Sequence, residues 1–556
     1  MFFFPLLIAL FYQADYSIYY MSTSQKNKEK NAQNSLLAKG ISLSMLTLVS
    51  RVLGLAREMT KARFLGTSAF SDAFGIAFMI PNLFRRLFAE NSISVAFIPT
   101  FKNHLEECGT SEGKQKTQDF ISATFTLVVF LTSIFVIAGI IFAPLILRIF
   151  YADKNSMEEA VVLTRIMFPY LFVISVAAFF QGILNGLKIF SPSGFTPILF
   201  NIIVISSTFI LSRFTANPAR AMAIGVISGG TIQALFQLPF VLKNNWKITF
   251  VNLKKAFSNE GSKKVFALIG PTIIGMAGYQ INDIVSSALA ARAGEGIVSS
   301  LQYSLRLQEL ILGICAVTIG TVILPDLTGF AKKNLWENFN SLLIQSIKIM
   351  ALIAIPVTFY SLAMGENIIT LIFAGGKFNS ESTKMTVEVF NFHIAGLFFI
   401  AVNRIVSPAF YAQQNTKSPT IAGLINFAVN IALASILSIK FKGKGIALAL
   451  TIASASNTLM LFIFLRKTKS NHVGNILKLA VLYAIKIAAF SVIAVVPVVL
   501  TKNYFIKFFS RNPRIISQGI PIFITAAIFG AIGLALLFIS KDSLLKTAFE
   551  KISKQK

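Results

Sequence analysis

The sequence carries charged residues inside stretches that are otherwise apolar. Between Asp72 and Phe97 it reads DAFGIAFMIPNLFRRLFAENSISVAF, where Arg85, Arg86 and Glu90 interrupt a hydrophobic run. An ionised side chain at the centre of a bilayer costs about 2.5–3.5 kcal/mol on insertion scales, so such residues normally face a protein interior or a water-filled cavity. Several of them in one stretch therefore predict a hydrated cavity.

A helical projection places most of these charges on one face. At about 100° per residue, Asp72, Asn82 and Glu90 all project within about 40° of Arg86. Arg85 lies at the edge of the same face. Because Arg86 and Glu90 are four residues apart, an ion pair within the helix is an alternative role for both.

Two further segments repeat the pattern. Arg51 and Arg57 lie near the end of an earlier apolar stretch, beside Glu58, and Arg306 shares a later helical face with Glu309. The arginines outnumber the acids around them, so pairing within the protein does not neutralise them all. Because a guanidinium group binds phosphate or carboxylate through two parallel hydrogen bonds, the surplus predicts an anionic ligand such as a pyrophosphate.

Other polar residues in apolar stretches allow two interpretations. Asp283, Asn426, Asn430 and Thr451 supply oxygen atoms that either converge on a Na⁺ or proton site or form hydrogen bonds between helices. Lys486 either extends toward the membrane surface or lines a groove. The sequence leaves both choices open.

The elements that position these residues are predicted to be membrane-spanning helices. Hydrophobic residues make up 55% of the 556 and charged residues 13%, whereas soluble domains carry about 25% charged residues. Apolar runs of roughly 20 residues, the length that spans a bilayer core, recur along the chain. The sequence thus predicts an all-α polytopic membrane protein with about 14 transmembrane helices. The predicted spans are 36–53, 70–99, 120–147, 160–187, 195–212, 220–242, 265–290, 298–325, 340–362, 387–411, 419–438, 444–465, 476–500 and 516–540.

Several classes of function lack support. The net charge of +28 is scattered through loops, and no compact basic domain is present to bind nucleic acid. No phosphate-binding Walker loop, GxSxG elbow or cluster of metal ligands occurs, so neither ATP-driven transport nor hydrolysis is indicated. We expect a protein that is not an enzyme and has no cofactor, with Na⁺ or the membrane potential as its driving force.

The chain looks internally doubled. A shift of 227 residues superposes predicted helices 1 and 2 on 7 and 8, and carries Ser191, which precedes a proline, onto Ser418, which also precedes one. Parallel repeats of this kind are a transporter architecture. We therefore predict two six-helix lobes around a central cavity, followed by two C-terminal helices. Gly225 and Gly229 predict close helix packing within the first lobe.

The predicted domains follow these lobes. They are an N-terminal segment at 1–35, the N-lobe at 36–242, a linker at 243–264, the C-lobe at 265–466, helices 13 and 14 at 467–540 and a basic tail at 541–556. The linker is either an amphipathic segment on anionic headgroups or a solvated loop. Lysines and arginines favour both tails and the loops after even-numbered helices, so both termini are predicted to be cytoplasmic. The first twenty residues lack the basic region of a signal peptide, and Met21 is an alternative start before the basic tail.

Five segments of the chain resemble a known family. The similarity covers nearly the whole chain from about residue 36, and the family is that of the MurJ/MviN lipid II flippases, within the multidrug/oligosaccharidyl-lipid/polysaccharide exporter superfamily. The similar segments are SRVLGLARE (Ser50–Glu58), SDAFGIAFMIPNLFRRLFAE (Ser71–Glu90), AFIP (Ala96–Pro99), RLQE (Arg306–Glu309) and GTVILP (Gly320–Pro325).

The resemblance implies a flippase that moves lipid II to the outer leaflet of the bacterial inner membrane for peptidoglycan synthesis. It implies alternating access, a cationic cavity for the headgroup, and a groove along helices 13 and 14 for the polyprenyl tail. The family's essential arginines match Arg51, Arg57, Arg85 and Arg306, and its cavity acid matches Asp72.

Further candidate residues complete the predicted sites. Glu58 stands where many family members have aspartate, and Arg86, Glu90 and Glu309 join the substrate-binding set by their positions. A family sodium site maps near Asp283, Asn426, Asn430 and Thr451. The neutral Asn430 replaces an expected acid there, which predicts a weak site.

The expected partners are lipid II, anionic phospholipid, and proteins of cell-wall synthesis or division, with no nucleic acid. Two other functions share parts of the pattern. One is a cation-coupled exporter of drugs or of other lipid-linked oligosaccharides in the same superfamily, although an acid-rich cavity would suit a drug exporter better. The other is a membrane scaffold that binds lipid-linked precursors without transporting them.

Overall fold

The protein is helical throughout its described part. A computed structural model describes residues 26–90, 96–151, 154–468 and 473–546, and the only non-helical pairing in these ranges is a single β-bridge between Gly375 and Phe378. The helices up to residue 293 are α1 Lys26–Leu65, α2 Ala69–Phe84, α3 Ile98–Glu106, α4 Ser111–Leu147, α5 Lys154–Met167, α6 Tyr170–Gly186, α7 Ser191–Leu211, α8 Pro218–Lys243, α9 Leu253–Ser258 and α10 Glu260–Ala293. The later helices are α11 Ile297–Lys332, α12 Trp336–Phe373, α13 Ser380–Ala395, α14 Leu397–Ala412, α15 Lys417–Leu465, α16 Val473–Phe508 and α17 Arg514–Ile539.

Many of these helices are long and apolar enough to cross a membrane. In the described ranges 8 helices meet that criterion, or 9 when α13 and α14, which meet at a bend of 41°, form one span. They cover predicted spans 3 to 6 and 9 to 14 to within one residue, and α15 alone covers two of these, joined at Lys442 with φ 48°. The all-α membrane fold is confirmed, whereas the number fourteen is not.

Predicted helix 2 is interrupted. α2 ends at Phe84, and the chain continues as a π-helical turn, Arg85–Glu90, that carries both central arginines. The regular projection used for the sequence does not hold there, because a π-helical turn has more residues than an α-helical one. Turns of this type inside helices are frequent at functional sites.

The chain divides into two compact units. One contains Ser24–Ser299 and Gly375–Phe378, and the other contains Ser300–Ala374 and the described part of Asn379–Lys556. By its contacts α10 belongs with the preceding helices, whereas the sequence placed it in the C-lobe. Residues 1–25 of the predicted N-terminal segment at 1–35 and residues 547–556 of the basic tail lie outside the described ranges, and the predicted domain boundaries stay predictions.

In the first unit, α7 and α8 pack closely, as the spaced glycines predict. A Cβ atom at Gly225 would lie 2.9 Å from Cβ of Ser207, and one at Gly229 would lie 2.8 Å from the Phe200 ring. Any larger side chain at either position would force the helices apart. Phe200 is thereby held in the layer beside α1, where two of the candidate arginines lie.

In the second unit, the C-terminal helices are fixed by polar contacts. The Tyr360 hydroxyl of α12 donates to the Ile522 carbonyl of α17 at 2.7 Å. Lys486 of α16 forms an ion pair at 2.7 Å with Asp542, whose side chain is 1% exposed, and the Tyr483 hydroxyl also contacts Asp542 at 3.3 Å. Lys486 thus binds the segment that follows α17, an arrangement that neither of its two sequence interpretations foresaw.

Candidate functional site

Two of the predicted arginines lie on α1, which contacts α7. Asn201 of α7 donates to the Ser50 carbonyl at 3.3 Å, and the guanidinium carbon of Arg57 lies 5.7 Å from the centre of the Phe200 ring. Arg57 also forms a 3.0 Å ion pair with the adjacent Glu58. Arg51 is half-buried and makes neither a hydrogen bond nor an ion pair within the described part of the chain.

The π-helical turn holds its two arginines differently. Nε of Arg85 donates to Asn82 at 2.9 Å, which fixes the guanidinium plane. Arg86 is exposed, and its Nη1 lies 3.6 Å from a carboxylate oxygen of Asp283 on α10. The predicted ion pair of Arg86 with Glu90 cannot be compared, because the Glu90 side chain lies outside the described residues.

Asp72 is buried and caps a distant helix. Its two carboxylate oxygens accept hydrogen bonds from the backbone nitrogens of Gly296, at 2.7 Å, and Ser299, at 2.8 Å, where α11 begins. In return, Glu295 accepts a 2.8 Å hydrogen bond from the backbone nitrogen of Ala69 at the start of α2. Ser299 lies 227 residues after Asp72, which equals the shift at which the sequence was predicted to repeat.

The start of α2 and the start of α11 therefore cap each other. A helix N-terminus carries about half a positive charge, which a carboxylate stabilises. Glu295 was absent from the predicted set, since it lies in a short loop among small residues. Lys61, whose Nζ lies 5.8 Å from the centre of the Phe74 ring, is a buried cation of the same unit that was also absent from the predicted set.

Arg306 lies in the second unit, on α11. Its Nη1 is 3.7 Å from Glu309, and its Nε is buried with no hydrogen-bond partner within the described residues. A buried donor without a partner costs about 1–3 kcal/mol, so this position favours an incoming acceptor. Neighbouring residues fix the helix: Ser304 contacts the His393 ring of α13 at 2.7 Å, and Gln308 donates to the His393 carbonyl.

The four candidate sodium ligands are distributed over both units. Asp283 is in the first unit, beside Arg86, and the other three residues lie on α15 in the second. Thr451 donates its hydroxyl proton to the Phe392 carbonyl at 2.7 Å, which leaves its oxygen as an acceptor, and Oδ1 of Asn426 is buried without a hydrogen-bond partner among the described residues. Asn430 is also buried.

These neutral oxygens are suitable ligands for Na⁺, but the sole carboxylate of the set already faces a guanidinium group. The fit of the four residues to Na⁺ is therefore partial. In the described residues, no group of three or more His, Cys, Asp or Glu side chains is placed to hold a metal ion.

Comparison with known proteins identifies the family. A family model described as "Lipid II flippase MurJ" matches residues 61–512. A "Probable lipid II flippase MurJ" of Treponema pallidum (strain Nichols) is 46% identical over 94% of this chain and 99% of that relative. The chain belongs to the lipid II flippase MurJ family. The "Lipid II flippase MurJ" of Burkholderia cenocepacia is 32% identical over 72% of this chain and 76% of that relative.

Solved structures agree with this family. The structure titled "Lipid II flippase MurJ, inward closed conformation" has a TM-score of 0.75 at 26% identity and covers 91% of this chain and 100% of its own. An inward-facing multidrug resistance MATE family transporter has a TM-score of 0.65 at 13% identity, covering 85% of this chain and 99% of its own, a likeness of fold alone. The expectation of a transporter and not an enzyme is confirmed by the family.

The family match reaches some candidate residues and not others. Residues 61–512 include Asp72, Arg85 and Arg306, whereas Arg51 and Arg57 precede that range. The role of each residue in binding substrate stays a prediction.

Proposed function

We propose that this protein moves lipid II from the cytoplasmic to the outer leaflet of the bacterial inner membrane by alternating access. Membership of the MurJ family carries this proposal, and the arginines give it a chemical basis. The lipid II headgroup contains a pyrophosphate, which is too polar to cross hydrocarbon unaided. The headgroup enters a cationic environment while the polyprenyl tail remains in lipid along α16 and α17, whose outer faces carry exposed apolar side chains.

Individual arginines have distinct roles in this proposal. Arg51 is available to a phosphate because no described residue engages it. Among the described residues no acceptor binds the buried Nε of Arg306. Its Nη1 lies 3.7 Å from Glu309, which is too long for a hydrogen bond, so a phosphate oxygen can replace that carboxylate. Arg85 presents a guanidinium group whose orientation Asn82 fixes. Glu58, Glu90 and Glu309 balance the charge of the neighbouring arginines, and Arg86 is itself paired with Asp283.

We further propose that the membrane potential contributes more to the driving force than Na⁺ does. The supporting observation is that Asp283 lies beside Arg86, so a bound Na⁺ would compete with a cation already present. One elementary charge moved through 100 mV is worth about 2.3 kcal/mol. Both termini are proposed to be cytoplasmic, and anionic phospholipid and proteins of cell-wall synthesis or division are proposed partners.

The decisive test is movement of labelled lipid II in reconstituted vesicles that contain this protein alone. A hydrogen bond to a charged group contributes about 1.5–3 kcal/mol, so Arg85→Ala and Arg306→Ala should each weaken headgroup binding by roughly tenfold to a hundredfold. Lysine at either position should restore activity only in part, because it lacks the two-pronged geometry.

The matched control is Arg466→Ala, which removes an exposed arginine after α15. It should leave transport unchanged. Full transport by both Arg85→Ala and Arg306→Ala would contradict the assigned roles, and no transport by the unaltered protein would contradict the function.

A further inference from the structure

The linker between α8 and α10 is attached to α4 along its length. Its backbone at Lys247 exchanges two hydrogen bonds with Gln118, at 2.7 and 3.0 Å. Further along, Thr249 contacts Ser122 at 2.8 Å. Finally, the Val251 backbone nitrogen donates to Thr126 at 3.1 Å.

The spacing of these contacts is that of an extended linker lying along the helix α4. Two residues of an extended chain, at about 3.3 Å each, span about 6.6 Å. Four residues of a helix, at about 1.5 Å each, span about 6 Å. The polar positions 118, 122 and 126 of α4 therefore form a row that holds the extended linker parallel to the helix. The linker is therefore held against α4 and is not a free loop.

The row determines which side chains of the linker face outward. Ala256 of the short helix α9 is fully buried against Ala123 and Leu127 of α4. Phe250 and Phe257 also contact α4, with ring centres 5.2 Å from Phe125 and 6.4 Å from Phe130, and they remain 67% and 49% exposed. The fixed backbone thus presents two aromatic rings to the surroundings of the protein.

These rings lie beside the membrane-spanning part of α4. The Phe257 ring is 6.4 Å from that of Phe130, ten residues beyond Phe120, where the apolar part of α4 begins. α4 has 37 residues and is about 55 Å long, more than a bilayer core of about 30 Å, so its polar first turns lie at the interface. The exposed rings lie where these polar turns meet the apolar part of the helix.

Four exposed lysines lie within seven residues of Phe257 in the chain: Lys254, Lys255, Lys263 and Lys264. Lys255 lies 3.7 Å from Asp119. The other three make no ion pair within the described residues. Lysine stems lie along apolar surface while their ammonium groups reach the interface, so this surface combines an apolar base with a cationic rim.

We propose that the linker surface, residues 247–264 together with the outer side of α4, is a docking site for anionic phospholipid of the cytoplasmic leaflet. The lysines bind the headgroup phosphate, and the two rings pack against the acyl chains. Charge complementarity selects an anionic over a zwitterionic lipid, and the exposure of both rings beside the apolar part of α4 selects a lipid over a soluble protein. This site goes beyond headgroup transport and does not depend on it.

The test measures which lipid lies at the surface. Phe257→Trp places an indole there, and the native Trp246 and Trp336 give a background that is measured in the parent protein. The full chain is reconstituted in phosphatidylcholine vesicles in which a minor share of the lipid is brominated, as either phosphatidylglycerol or phosphatidylcholine. Bromine quenches nearby indole fluorescence, so we expect stronger quenching by the phosphatidylglycerol.

Neutralising the rim should remove that preference. Each lysine near an anionic surface changes local lipid binding by about fivefold, so replacing all four by Gln should lower the enrichment by at least that factor. The matched control replaces four exposed cations on the same predicted membrane face, Lys332, Lys333, Arg466 and Lys467, by Gln. It should retain the preference.

Two results with these variants would overturn the proposal. One is equal quenching by both brominated lipids when the four lysines are present, and the other is an equal loss of preference in the control variant. If the four-lysine variant does not fold, salt replaces it as the perturbation. The Debye length falls from about 30 Å at 0.01 M to about 3 Å at 1 M, so high salt should abolish the preference. A preference that survives high salt would also overturn the proposal.

Discussion

Replacing Asp72 should separate a structural role from a substrate-binding one. In Asp72→Asn, one side-chain oxygen remains to accept a hydrogen bond, and an amide group now faces the other backbone nitrogen. One buried N–H therefore loses its acceptor, at about 1–3 kcal/mol, and the helix terminus loses a charge worth about 0.3–1 kcal/mol. Asp72→Ala removes both carboxylate acceptors, which in the unaltered protein lie 2.7 and 2.8 Å from the two backbone nitrogens. Its cost in stability should be roughly twice that of losing one acceptor.

The assay is thermal unfolding of the purified protein in detergent, run beside lipid II transport in vesicles. Glu295→Gln is the matched control, because Glu295 accepts one hydrogen bond, from Ala69, and glutamine retains that acceptor. We expect the loss of stability to rise from Glu295→Gln through Asp72→Asn to Asp72→Ala. Transport should fall in the same order.

The opposite pattern would refute this reasoning. If Asp72→Asn unfolds at the same temperature as the unaltered protein and yet fails to transport, the carboxylate acts on the substrate, as the family resemblance implies. The capping role would then be secondary.

Two further predictions concern a buried ion pair and the driving force of transport. Lys486→Met should destabilise the second unit by about 3–5 kcal/mol, because it leaves the buried Asp542 without its cation. Adding Asp542→Asn should recover part of that loss, as thermal unfolding would measure. Additive losses from the two changes would show that the pair is not coupled. Replacing Na⁺ by K⁺ at fixed potential should preserve lipid II transport in vesicles, and collapsing the potential at fixed Na⁺ should slow it. Loss of transport on Na⁺ removal, together with its abolition by Asp283→Asn, would instead establish sodium coupling.

The sequence was most informative where the physical signal is local. Apolar runs and spaced glycines depend on neighbouring residues, so the helices and the close packing at Gly225 and Gly229 could be predicted. The arginines stood out because charge is costly in an apolar stretch. Their partners could not be predicted, since Arg86 and Asp283 lie almost 200 positions apart in the chain.

Helical projection also failed at a definable point. It placed Asp72 and Arg86 on one face of a regular helix, whereas the chain enters a π-helical turn at Arg85 and Asp72 turns to a helix start 224 residues away. No periodicity in sequence encodes either event. The shift of 227 residues was the available clue to the second, because it aligns Asp72 with Ser299.

The pairing of arginines with carboxylates bears on how a carrier releases its substrate. Arg57 and Arg306 each have a glutamate nearby, at 3.0 and 3.7 Å. A phosphate that binds either guanidinium group must displace or share that acid, so it gains only the difference between two interactions. Partly exposed ion pairs contribute about 0–1 kcal/mol, which makes this exchange inexpensive in both directions. A scaffold that retains its precursor would gain affinity by omitting the acids. A flippase, in contrast, must let the headgroup leave on the other side of the membrane. Arginines paired with acids suit that need.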